Sequence, residues 1–85
     1  MRLFLTKSFE QDYSRLPEGI QVKLDATLAL FIRNPRHPSL QVKKIKGVHS
    51  IWEGRITLHY RFTFMMDGDL CIVRRAGTHD ILRTP

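Results

Sequence analysis

The spacing of apolar positions in this chain is helical through its first third and strand-like beyond it, after a short alternating start. Arg2 to Thr6 alternates around Leu3 and Leu5, which predicts a short first strand. Phe9, Tyr13 and Leu16 then recur at i, i+4 and i+7 on one helix face, with Ser8 and Gln11 spaced as a capping box and Pro17 as the stop. Ile20, Leu24, Leu28, Phe31 and Ile32 keep helical spacing over more than three turns. Ile20 to Asp25 also alternates as a strand would, but the length of the periodic run predicts a second helix from Pro17 to Asn34 and Pro35. Two N-terminal helices therefore form a hairpin.

Asn34 to Ser39, with two prolines, reads as a loop. Leu40, Val42 and Ile45, interleaved with Lys43, Lys44 and Lys46, predict a short basic strand, and lysines on such a strand also serve to guard a sheet edge. Val48, His49 and Ser50 turn the chain into IWEGRITLHYRFTF, residues 51–64. Its alternation sends Trp52, Ile56, Phe62 and Phe64 to the core and Glu53, Arg55 and Arg61 to the opposite face. A two-residue turn at Leu58 and His59 would set Arg61 against Ile56 and mix the faces. A three-residue loop, Thr57 to His59 or Leu58 to Tyr60, keeps them apart by aligning Ile56 with Tyr60 or Phe62, and Arg61 with Arg55 or Thr57. Such loops call for a left-handed residue, and His59 is the one expected to supply it. Further on, Asp67-Gly68 predicts a type I′ turn between Met66 and Asp69, which pairs Phe64 with Cys71 and Phe62 with Val73 and sets Arg74 opposite Arg61. Gly77 would turn the chain at the end of the last strand, leaving His79 at the sheet rim and Ile81 and Leu82 in a packed tail.

These elements give an α+β chain, a helical hairpin packed on a small twisted antiparallel sheet in the order β-α-α-β-β-β-β, as a single domain over residues 1–85. Composition is consistent with that size. At 85 residues, 42% hydrophobic and 26% charged, the chain has enough apolar content for one core and is not expected to be disordered. Fourteen Lys and Arg against eight Asp and Glu give +6, which favours a polyanionic partner: nucleic acid, an acidic protein or an anionic membrane surface. The single cysteine, Cys71, has no disulfide partner, and no signal peptide or membrane span is evident. A soluble, cytoplasmic protein is expected.

Charge and pattern together define the candidate chemistry. Arg55, Arg61 and Arg74 would surround one patch, where their mutual repulsion is relieved by a bound anion and the guanidinium fork suits phosphate oxygens. Lys43, Lys44 and Lys46 extend the basic surface for RNA. A solvated strand face is the plainer reading of the same charges. Metal-ligand spacing, a glycine-rich phosphate loop and a serine nucleophile elbow are all absent, and His37, His49, His59 and His79 are dispersed, so neither metal nor cofactor is expected. A cationic face with Glu53 and titratable imidazoles suits RNA cleavage. There a base activates the 2′-hydroxyl, cations stabilise the phosphorane and an acid protonates the leaving oxygen.

HPSL at 37–40, KKIKG at 43–47, IWEGR at 51–55, YRFTF at 60–64 and RRAGTHD at 74–80 resemble the RelE/ParE superfamily of type II toxins, most closely its YafQ-like branch of ribosome-dependent mRNA interferases. The resemblance spans nearly the whole chain. It implies an endoribonuclease acting in the ribosomal A site, with a cognate antitoxin as partner in a hetero-oligomer. It further implies Arg61 as the arginine at the scissile phosphate, His79 of GTH as general acid, His59 as a second histidine and His37 as the loop histidine of that branch. Glu53 corresponds to a base in the YoeB-like branch. The chain departs from RelE-like members in lacking a tyrosine near its C-terminus. Two other readings stay open: a ParE-type toxin that binds DNA gyrase without nuclease activity, and a small basic RNA-binding module without turnover.

Overall fold

Thr6 ends the first strand and starts the first helix. In a computed structural model covering residues 1–85, its hydroxyl accepts from the Phe9 N–H at 3.1 Å and caps helix α1, Lys7–Arg15. The helix thus begins before the expected Ser8 cap. Strand β1 is Arg2–Leu5, and α2 runs Glu18–Arg33 with Pro17 at its N-cap and Asn34 at its C-cap, as the spacing predicts. A 3₁₀ turn at Pro38–Leu40 leads to β2, Lys43–Lys44, much shorter than the basic strand expected. Strands β3, Trp52–Arg55, β4, Tyr60–Asp67, and β5, Leu70–Thr78, follow, and a second 3₁₀ turn covers His79–Arg83.

The strands form one sheet in the order β1-β5-β4-β3-β2. All pairs are antiparallel except β1 with β5, which run parallel, with Leu3 beside Cys71 and Leu5 beside Val73. A pairing so distant along the chain leaves no local sequence signal. β1 covers β5 only as far as Val73, and α1 takes over beyond it. The Thr6 N–H donates to the Val73 carbonyl at 3.1 Å, the Thr6 hydroxyl to Arg74 O at 2.9 Å, and Ala76 N–H to the Asp12 carboxylate at 3.1 Å. Backbone groups that a neighbouring strand would otherwise satisfy are met by the helix.

Phe31 of α2 packs on Phe62 and Phe64 of β4 with ring centroids 5.5 and 4.8 Å apart, and Leu24, Leu40, Cys71 and Val73 complete a solvent-free centre. Trp52 shares that face but sits near the sheet edge and is 36% exposed, so it contributes less to the core than expected. Opposite Phe62 in the ladder is Gly54, where a Cβ would collide with the Phe62 ring. Burial raises the Cys71 thiol to a pKa of about 11.

Both hairpins differ in detail from the sequence expectation. The β3–β4 loop is Thr57 to His59, with Arg55 opposite Arg61 and Ile56 N–H donating to Tyr60 O at 2.9 Å. That is the first of the two three-residue alternatives. His59 is not left-handed, however; positive φ occurs only at Gln41, Gly47, Ser50 and Gly68. In the β4–β5 hairpin, Asp67 pairs with Leu70, so the turn is Gly68-Asp69, one residue later than expected, with Gly68 supplying φ of 61° at its first position. Phe64 therefore faces Val73. A bulge between Thr63 and Phe64 then leaves Arg74 unmatched, and Arg61 lies opposite Gly77 instead of Arg74. Gly77 itself does not turn the chain but lies within β5, where a Cβ would come within 2.8 Å of Ile81 Cγ2.

Candidate functional site

The sheet register brings several of the predicted residues to one end of β3, β4 and β5. Lys43, Glu53, Thr63 and Arg75 form one row across the strands, and Arg55, Arg61 and Gly77 form the row two residues along. Tyr60 pairs with Thr78 at the end of β4 and β5, so the next residues outward are His59 on one strand and His79 on the other. Both histidines are exposed, and neither imidazole makes a hydrogen bond. Two imidazoles thus flank the end of the sheet that carries two directly opposed guanidiniums.

Arg61 is the most constrained member. One terminal nitrogen donates to the carbonyls of Thr57, Leu58 and Tyr60 at 2.5, 3.1 and 3.0 Å, which explains how the loop closes without a left-handed residue. Its Nε lies 3.6 Å from Glu53 Oε1, an ion pair whose side chains are 12% and 7% exposed. Burial pushes the Arg61 pKa down, Arg55 pushes it the same way by repulsion, and Glu53 opposes both. This guanidinium is held in place but short of negative charge. Arg55 makes no ion pair at all.

Other predicted residues lie elsewhere. The bulge carries Arg74 away from Arg61; its Nε donates to Pro85 O at 3.2 Å and its Nη1 contacts Met65 Sδ at 3.6 Å. Lys43 joins the Glu53 row, Lys44 pairs with Trp52 on the core side, and Lys46 follows the strand, all three exposed at the far edge. The Nδ1 of His37 caps its 3₁₀ turn, accepting from Ser39 N–H at 3.1 Å, with Ser39 Oγ 2.8 Å away. The sequence reading missed Arg75, which grips Asp12 of α1 through Nε at 2.7 Å and Nη2 at 3.2 Å. Partners 63 positions apart leave no mark in local spacing.

No family model and no curated protein sequence matches the chain. Solved structures do. A YoeB/ParE toxin from Agrobacterium tumefaciens superposes with a TM-score of 0.76 at 25% identity, covering 93% of this chain and 99% of that one. RelE in the RelB-RelE antitoxin-toxin complex of Methanococcus jannaschii gives 0.71 at 24% identity over 95% of each chain. YafQ from E. coli gives 0.76 at 17% identity, covering 96% of this chain and 98% of that one. The chain has the RelE/ParE toxin fold, and the resemblance read from its sequence is borne out at that level. No helix is long and apolar enough to cross a membrane.

Proposed function

We propose that this chain is the toxin of a type II toxin-antitoxin pair, a cytoplasmic endoribonuclease that cleaves mRNA in the ribosomal A site. The observation that supports this most is the pair of exposed histidines, His59 and His79, flanking the sheet end where Arg55 and Arg61 stand opposed. In the proposed reaction, neutral His59 takes the proton of a ribose 2′-hydroxyl and the 2′-oxygen attacks the adjacent phosphorus. Arg61, with Arg55, bears the charge of the phosphorane. His79, as imidazolium, protonates the departing 5′-oxygen, leaving a 2′,3′-cyclic phosphate and a 5′-hydroxyl. Glu53, buried against Arg61, serves as the carboxylate that orients the guanidinium, so the base role falls to His59. Lys43, Lys44 and Lys46 hold the RNA backbone by charge, and the antitoxin neutralises the chain by covering this basic surface.

Incubation with programmed ribosomes followed by mapping of RNA ends tests the reading. Cleavage within the A-site codon is expected, and His79→Gln is expected to slow it by about 10² to 10⁴ under single-turnover conditions. His59→Gly separates base from turn: a purely structural residue tolerates it, whereas a base loses a comparable factor. Intact mRNA together with trapped DNA-gyrase complexes would instead assign the chain to the gyrase-binding class. Growth arrest on induction, relieved by co-expressing the neighbouring open reading frame, tests the antitoxin.

A further inference from the structure

Between α2 and the β3–β4 hairpin lies a cavity of about 200 Å³ that the catalytic scheme leaves unused. Its lining is divided in chemistry. Leu40 and Ile56, 1% and 4% exposed, give it an apolar floor together with Leu30, while Lys23, Ser39 and Arg55 bring polar groups to its more exposed parts. Neither Lys23 nor Arg55 has an acidic partner within ion-pair distance. Two uncompensated cations lining one small apolar recess favour a ligand with an anionic group and a flat apolar body. The Ser39 hydroxyl adds direction. His37 Nδ1 accepts the Ser39 N–H, which makes it the unprotonated nitrogen of that ring. The hydroxyl oxygen lies 2.8 Å from the same nitrogen and brings lone pairs to the cavity wall that can meet a donor on the ligand.

We propose that this cavity is a nucleotide subsite, taking one base of the RNA on the Leu40–Ile56 floor and its phosphate between Lys23 and Arg55. Arg55 lines the cavity and also pairs with Arg61 across the β3–β4 ladder, so one residue is common to the subsite and to the row that carries Arg61. The inference rests on the endoribonuclease reading and extends it by naming where a flanking nucleotide binds. At about 200 Å³, below the ~300 Å³ at which sites that enclose a whole ligand begin, the cavity takes the base and leaves the phosphate at its rim.

The test titrates the intact protein with adenosine 5′-monophosphate, adenosine and inorganic phosphate, following the amide resonances of Leu40, Ile56 and Lys23. The mononucleotide is expected to shift all three and to bind about tenfold more tightly than either fragment. Lys23→Ala is expected to weaken it about tenfold, consistent with the loss of one charge-assisted contact. Ala26→Leu, which adds bulk to the cavity lining, is expected to weaken mononucleotide binding without altering the thermal melt. Phosphate binding as tightly as the mononucleotide would overturn the subsite in favour of a plain anion site. Affinity unchanged in both variants would overturn it outright. Mononucleotide binding that survives in a chain that fails to cut ribosome-bound mRNA would retain the subsite and remove the nuclease.

Discussion

Two arginine-carboxylate pairs occur in adjoining rows of the same sheet, and they behave in opposite ways. Arg75 meets Asp12 through two nitrogens, the shorter contact at 2.7 Å, and this hydrogen bonding raises its pKa. The same carboxylate accepts the Ala76 N–H, so one acid fastens helix α1 to β5 in three places. Arg61 stands 3.6 Å from Glu53, beyond ordinary hydrogen-bond length, with burial and Arg55 pulling its pKa down. The first pair is satisfied and acts as a clasp. The second is kept under-compensated, which makes Arg61 receptive to a further anion such as a phosphate. Composition alone would count both as ion pairs; distance and surroundings separate a closely bonded pair from a loosely held one.

Substitution should separate the two roles most sharply at the arginines. Arg61→Ala is expected to lower single-turnover RNA cleavage by about 10² to 10³, the loss typical of removing a donor from a developing oxyanion. Arg75→Ala should leave cleavage per folded molecule unchanged while lowering the denaturant midpoint. Equal losses of cleavage in both variants would erase the contrast. Asp12→Ala then isolates the clasp, because it leaves the buried Ala76 N–H without its acceptor, and chemical denaturation should show about 1–3 kcal/mol of lost stability. Gly54→Ala is expected to cost a similar ~1–3 kcal/mol through the clash with Phe62, with little effect on α1 docking as read by amide exchange.

The smallest effect concerns pH. Cys71 titrates near 9 when unfolded and about 11 when folded, so the folded chain holds the thiol proton more tightly. The resulting stabilisation is full below pH 9 and is lost as pH rises toward 11. A Cys71→Ala chain, though less stable throughout, should show a shallower decline across that window when unfolding is followed at each pH.

How much of this was legible in sequence depends on the range of each cause. The α2 helix, the three-residue loop and the Arg55–Arg61 pairing follow from local period and from the rule that opposed residues share a face. The β4–β5 register does not. A turn displaced by one residue moves every pair by two, and the bulge beyond it depends on what packs against β5 from outside the hairpin. That packing comes from α1 and from the chain after Thr78, where Pro85 O accepts from both Thr63 and Arg74. Hence spacing alone puts Arg74 opposite Arg61, where the register does not set it, while His79, placed only by its position after the last strand, lies at the same end as His59. Alternation gives the face of Glu53 but not its burial, because its pairing with Arg61 is not a property of the strand's own alternation.

The bulge at Arg74 also sets the phase between the two ends of the sheet. Upstream of it, β5 keeps step with β1 from Leu70 to Val73; downstream, it keeps step with β4 from Arg75 to Thr78. The extra residue works like a spacer between two gears. Removing Arg74 alone would close the bulge, leaving Val73 opposite Phe64 and Arg75 opposite Thr63 in one unbroken ladder, with the faces of Arg75 and Ala76 and the place of His79 after Thr78 unchanged. What such a deletion would release is local twist, together with the contacts of Arg74 to Pro85 and Met65, while the core stayed packed.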